Sequence, residues 1–194
     1  MKYIIKRTLF TGTETFTLEE NRLHITSTKK NKSAIFIPYS AFKKVNLIYV
    51  PSYKNTPELY QCTLKTNNHK TVKISNNHYE GFGNINPKNK EYSNFILALH
   101  QKLTPFKNIV FEKGTSGSKF KTYTIILGTL LLGLLIIGVF GIIKKEYNVG
   151  ISLLIGALIF GAFFYQLFKS YKPEKYNLKE IPQTVIPFSI KQIL

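Results

Sequence analysis

The chain has 194 residues and a formal charge of +17, from 27 Lys and Arg against 10 acidic residues. Every basic residue except Arg7 and Arg22 is Lys, so the planar forks that grip bases and phosphates in pairs are scarce and nucleic acid is set aside as a partner. The single Cys62 excludes an intramolecular disulfide, and the opening MKYIIKRTLF lacks the apolar core of a signal peptide.

Residues 2–75 read as short segments of alternating polarity, the mark of half-buried strands. Strands are expected at 3–10, 13–18, 22–28, 34–37, 45–50, 59–66 and 70–75. In the third, Leu23 and Ile25 share one face while Arg22, His24 and Thr26 share the other. In the sixth, Tyr60, Cys62 and Leu64 point inward, and Asn67-Asn68 turns the chain into the seventh. Pro38 and Pro51 mark strand edges. The period then changes. Tyr92, Phe95, Ile96, Leu99 and Leu103 fall on one face of a helix over 91–103, with Asn86-Pro87 expected to open it and Thr104-Pro105 to stop it.

Strands followed by one closing helix resemble the pleckstrin-homology superfold, and Ile37-Pro38-Tyr39-Ser40-Ala41-Phe42-Lys43-Lys44-Val45 is similar to a segment of bacterial PH-like domains. That resemblance implies an α+β fold over residues 1–105: a PH-like seven-stranded antiparallel barrel or sandwich capped by one helix. Such domains often adjoin transmembrane helices. Phosphoinositide specificity is not implied, because Thr11-Gly12-Thr13 puts no base in the first hairpin loop.

Residues 106–122 read as a linker, flexible around 114–118. Two uncharged apolar runs follow, at 123–143 and 149–168, separated by the turn 144–148. Each makes a helix of roughly 30 Å, about the hydrocarbon thickness of a bilayer, so an antiparallel transmembrane hairpin is expected. Neither run holds an ionisable side chain, which argues against a pump or proton relay. Lys107, Lys113, Lys119 and Lys121 precede the hairpin and Lys169, Lys172, Lys175 and Lys179 follow it, against Lys144 and Lys145 in the turn. The bias places both termini in the cytoplasm, at a bacterial inner membrane. Residues 169–194 are broken by Pro173, Pro182 and Pro187 and read as an extended cytoplasmic tail. Disorder is preferred there to the alternative, in which Ile186, Phe188, Ile190, Ile193 and Leu194 pack on the domain or a partner.

Three constellations bear on function. Lys113, Lys119, Lys121, Lys169, Lys172 and Lys175 crowd the expected cytoplasmic interface, where each could contribute about 1 kcal/mol toward anionic lipid. Lys29, Lys30, Lys32, Lys43 and Lys44 would extend that patch if their edge faces the bilayer. Within the hairpin, Gly133, Gly156 and Gly161 complete small-xxx-small pairs with Thr129, Ser152 and Ala157, where helices of one or two protomers can approach closely. Catalysis is poorly provided for. Cys62 belongs to the core, and His24, His69, His78 and His100 (the last on the polar face of its helix) share no metal-ligand spacing. Gly81-Phe82-Gly83 lacks the third glycine of a dinucleotide loop. No cofactor, metal or catalytic residue is expected. The leading reading is a membrane-anchored binding or scaffold module for a protein segment or anionic lipid. The alternatives are an accessory or regulatory subunit assembled through the hairpin and, third, an enzyme using His78, Tyr79 and Glu80.

Overall fold

The computed structural model describes residues 1–187 apart from Leu9, Asn31, Lys32, Tyr53, Asn55, Phe82, Ser116 and Lys179. Lys32, Lys179, Phe82 and the apolar tail positions Phe188, Ile190, Ile193 and Leu194 therefore lie outside the described residues. The chain divides into two compact units: Met1–Lys113 with Glu174–Leu194, and Gly114–Pro173.

The first unit is mixed α+β. Its opening sheet has the order β1 (Lys2–Ile5), β2 (Glu14–Leu18), β3 (Arg22–Ser27), β4 (Ile35–Pro38), all antiparallel. Alternation sets the faces: Tyr3 pairs with Phe16, Phe16 with Ile25 and Leu18 with Leu23, and all five are buried. Pro38 has no N–H to extend β4. One turn of 3-10 helix, Tyr39–Ala41, then carries the chain into a second sheet, with the Tyr39 hydroxyl donating to the Glu19 carbonyl at 3.0 Å. That sheet runs from β5 (Phe42–Val50) to β6 (Leu59–Thr66) and β7 (Thr71–Ser75), where Leu47 pairs with Cys62 and Cys62 with Ile74, all wholly buried.

Helix α1 (Asn89–Leu103) caps the core with the expected stripe. Tyr92, Phe95, Ile96, Leu99 and Leu103 are each 0 % exposed, and the Phe95 ring lies 5.5 Å from Tyr3 and 6.4 Å from Phe16. The helix does not start at Asn86-Pro87. Those residues belong to β9 (Asn84–Pro87), which pairs with β8 (Asn77–Gly81), and Lys88 is the N-cap, its side chain making no capping hydrogen bond to the helix and donating to the Ile4 carbonyl instead at 3.3 Å. This hairpin escaped the sequence reading because polar strands such as Asn77–Gly81 carry no alternation. Gly83, at φ +72°, makes its turn. The two sheets do not close into a barrel: among the described residues β4 and β7 end their sheets without a further strand partner.

Two further strands lie where none was expected. Residues 106–122 include β10 (Val110–Lys113), which runs parallel to β5 with Phe111 opposite Val45, and also the first residues of α2. The tail forms β11 (Glu174–Lys175), antiparallel to β10, and beyond it Val185 and Ile186 are buried in the core. The segment 174–187 is thus not a free tail but the closing piece of the domain. The sheet order is β11-β10-β5-β6-β7.

The second unit is a pair of helices, α2 (Gly117–Ile143) and α3 (Tyr147–Tyr171), both longer than the apolar runs that announced them. Residues 120–143 and 147–166 are long and apolar enough to cross a membrane, and their side chains are largely exposed. At the turn Glu146 N–H donates to the Gly141 carbonyl at 2.9 Å and Lys145 N–H to Ile142 at 3.0 Å, with Lys145 in the left-handed region at φ 67°. That double bond pattern closes the C-terminus of α2.

Candidate functional site

The six lysines proposed as lipid contacts are divided between the units. Lys113 is on β10, its Nζ 3.1 Å from the Glu174 carboxylate, and Lys175 on β11 stands opposite Glu112. Glu112 is also ion-paired with Lys44. Acid and base therefore alternate along the two strands that flank the hairpin. In the second unit Lys121, Lys169 and Lys172 are exposed, and Lys119 lies in α2 with its side chain outside what is described. No single patch of six is formed within either unit.

The glycines also sort differently from the sequence expectation. A Cβ added at Gly133 or Gly156 meets nothing within 4 Å, and one at Gly161 is in ordinary contact with Leu131 at 3.9 Å. The close approach is nearer the turn. A Cβ on Gly150 would lie 2.7 Å from the Gly138 carbonyl oxygen and 2.9 Å from the Ile142 nitrogen; one on Gly141 would lie 3.2 Å from the Gly150 Cα. Within the hairpin the close backbone approach therefore falls at Gly138, Gly141 and Gly150, while Gly133 and Gly156 have open space beside them. Spacing along one helix could not decide this, because which face meets α3 is set by the tight turn.

A buried polar centre joins α1 to the tail. His100, placed by the sequence reading on the polar face, is only 2 % exposed. Its Nδ1 is 2.7 Å from the Ile96 carbonyl and its Nε2 is 2.7 Å from the Tyr176 hydroxyl. A carbonyl can only accept, so Nδ1 carries the proton and Tyr176 donates to Nε2. The rings of His100, Phe111 and Tyr176 pack within 5.5–6.0 Å of one another. The missed signal was the stripe Tyr92, Ile96, His100, each four residues on. Burial lowers the His100 pKa from 6.5 to about 4. With the imidazole neutral in the fold, stability is full above pH 6.5 and falls as pH drops toward 4, by about 3 kcal/mol in all. Denaturant midpoints of the full chain at pH 7.5 and 4 are expected to show this loss, and His100→Leu to remove that part of the slope. An unchanged slope in the variant would refute the assignment.

The remaining candidates are structural. Cys62 is wholly buried, and burial pushes its thiol pKa up, which suppresses thiolate chemistry. His78 Nδ1 accepts the Lys6 backbone N–H at 3.1 Å, and Glu80 accepts from Asn86 at 2.7 Å and Asn84 at 3.4 Å, so this polar cluster ties the β8–β9 hairpin together and to the chain after β1. His24 stacks on Phe36 with ring centres 4.3 Å apart and meets Glu19 at 3.1 Å. His69 occupies a turn at φ 59°. Among the described residues no three His, Cys, Asp or Glu gather as a metal site.

Fold and site together define a class: a mixed α+β unit whose sequence is interrupted by an apolar helical hairpin, between two strands that pair with each other. Comparison with protein-family models, curated proteins and solved structures finds no match to this chain.

Proposed function

We propose that this chain is a membrane-anchored binding or scaffold module: a PH-like domain held at the cytoplasmic face, recognising a protein segment and performing no chemistry. What carries the reading is the apolar surface of α2 and α3, which is exposed along both helices and whose natural solvent is lipid. The PH-like reading is supported by a four-stranded sheet, the consecutive β5-β6-β7 part of a five-stranded sheet and a capping helix. A protein segment is preferred to anionic lipid because Lys113 and Lys175 face acids across the strand pair. In carbonate-washed membranes the full chain is expected to stay in the pellet, with residues 1–113 shielded from protease added outside intact cells. Release by carbonate would end the proposal.

A second reading, an accessory subunit of a membrane complex, is favoured by one observation. Gly128, Gly133 and Gly156 face open space, and small residues there leave room for another helix to approach closely. Cross-linking between hairpins at 133 or 156 would support it, and a lone monomer in detergent would count against it.

A further inference from the structure

The start of β4 and the first half of β7, at the ends of the two sheets, line one groove. The groove, of about 120 Å³, has Ser33 and Ile35 at β4 and Thr71, Val72 and Lys73 on β7 among its lining. Its apolar share includes Phe16, Ile25 and Val72, and Ile35 is 40 % exposed. The volume suits one side chain, since a cavity near 150 Å³ holds a benzene ring. An open strand edge presents unpaired N–H and C=O groups, a template for one more strand.

The charge around the groove is net basic. Arg7 and Lys73 line it, and Glu14, its one acid, is buried and ion-paired with Arg7. The loop from Ser27 to Ser33 begins and ends at the groove and carries the exposed Lys29 and Lys30, while Lys70 is exposed just before β7.

We infer that this groove takes an extended acidic segment of a partner protein, added as a strand at the β4 and β7 edges with one aliphatic side chain seated over Val72. The inference rests on the binding-module reading above and names its site and ligand chemistry. Acidic side chains of the segment face Lys73 and the loop lysines Lys29 and Lys30, and its backbone satisfies the open edges.

The test uses the full chain in neutral-lipid nanodiscs, panned against a display library of random peptides. Recovered sequences are expected to be rich in Asp and Glu around Val, Ile or Leu. A synthetic peptide of that consensus should slow amide exchange in 33–37 and 71–75. Lys73→Glu is expected to weaken it at least tenfold, whereas Lys90→Glu, an exposed position on α1, should leave it unchanged. A recovered pool without acidic bias, protection elsewhere, or equal effects of the two charge reversals would overturn the inference. So would binding that emerges only once residues 188–194 are deleted, which would assign the groove to the chain's own end, or protection that appears with protein concentration alone, which would assign it to a second copy. Any of these with the chain still retained in carbonate-washed membranes removes only the groove assignment. Release by carbonate removes the module reading itself.

Discussion

Ending the chain at Pro173 is expected to unfold the β-rich unit, not merely to shorten it. Val185 and Ile186 are each 5 % exposed in the core, and Leu178, Ile181 and Tyr176 pack against it. Burying a Val or Ile side chain is worth about 1.5–3 kcal/mol, so these contacts together reach at least about 5 kcal/mol. That is the size of a whole domain's net stability. Removing Tyr176 also leaves His100 Nε2 without the hydroxyl that donates to it, at a cost of about 1–3 kcal/mol for a buried unpaired group. Limited proteolysis of membranes holding the truncated chain should digest residues 1–113 under conditions where the full chain resists. Two substitutions grade the effect. Tyr176→Phe, which loses only the hydrogen bond, should cost about 1–2 kcal/mol, and Tyr176→Ala about 3–5 kcal/mol. A truncated chain as protease-resistant as the parent would show that 174–187 is dispensable.

A consequence concerns the order of folding. Strand β10 precedes the hairpin and β11 follows it, yet they are neighbours in one sheet, with Lys113 opposite Glu174. The sheet cannot be completed until both helices have been made and the chain has returned. An antiparallel hairpin brings its own ends together, which lowers the loop-closure entropy that so long an insertion would otherwise impose. The hairpin is therefore also the means by which the last strand finds its place.

This arrangement was only partly legible in the sequence. The seven expected strands and the apolar stripe of α1 largely were, because β1, β2, β3 and α1 each have one wet and one dry face, although β1 ends at Ile5 rather than residue 10 and β5 and β6 bury consecutive residues. Strand β10 was not: four residues, Val110–Lys113, cannot establish a period. Strand β11 is shorter still, and its partner lies across the whole hairpin. The burial of Val185 and Ile186 was hidden by Pro182 and Pro187, which break secondary structure without preventing packing. His100 illustrates the opposite error. A titratable residue was assigned to solvent by type, although its four-residue spacing from Ile96 and Tyr92 put it on the buried stripe. The strands of the candidate groove could be drawn from sequence, but not their sharing one groove, which depends on how two sheets fold over a common core.

Substituting Gly150 should disrupt the hairpin more than any other single change within it. The obstacle to a side chain at this position is backbone, the Gly138 carbonyl oxygen at 2.7 Å and the Ile142 nitrogen at 2.9 Å from an added Cβ. Neither can rotate aside, so the helices must separate. Forcing such a contact costs about 1–3 kcal/mol or more, and separation also forfeits the dispersion contacts on which helix pairing in lipid depends. Gly150→Val is accordingly expected to lower hairpin stability by about 3 kcal/mol, measured as the loss of helix–helix proximity on titrating mixed micelles with SDS. Gly150→Ala should lie between it and the parent, and Gly141→Ala, whose added Cβ stops 3.2 Å from the Gly150 Cα, should be milder. Gly133→Val and Gly156→Val, which project into open space, are expected to leave the SDS midpoint within about 0.5 kcal/mol of the parent. This separates two roles that look alike along the sequence. Loss at 150 with tolerance at 133 and 156 places the intramolecular contact beside the turn and leaves the other glycines free to meet lipid or another helix. Equal loss at all three positions would mean that the helices cross farther from the turn, and the packing described here would be wrong.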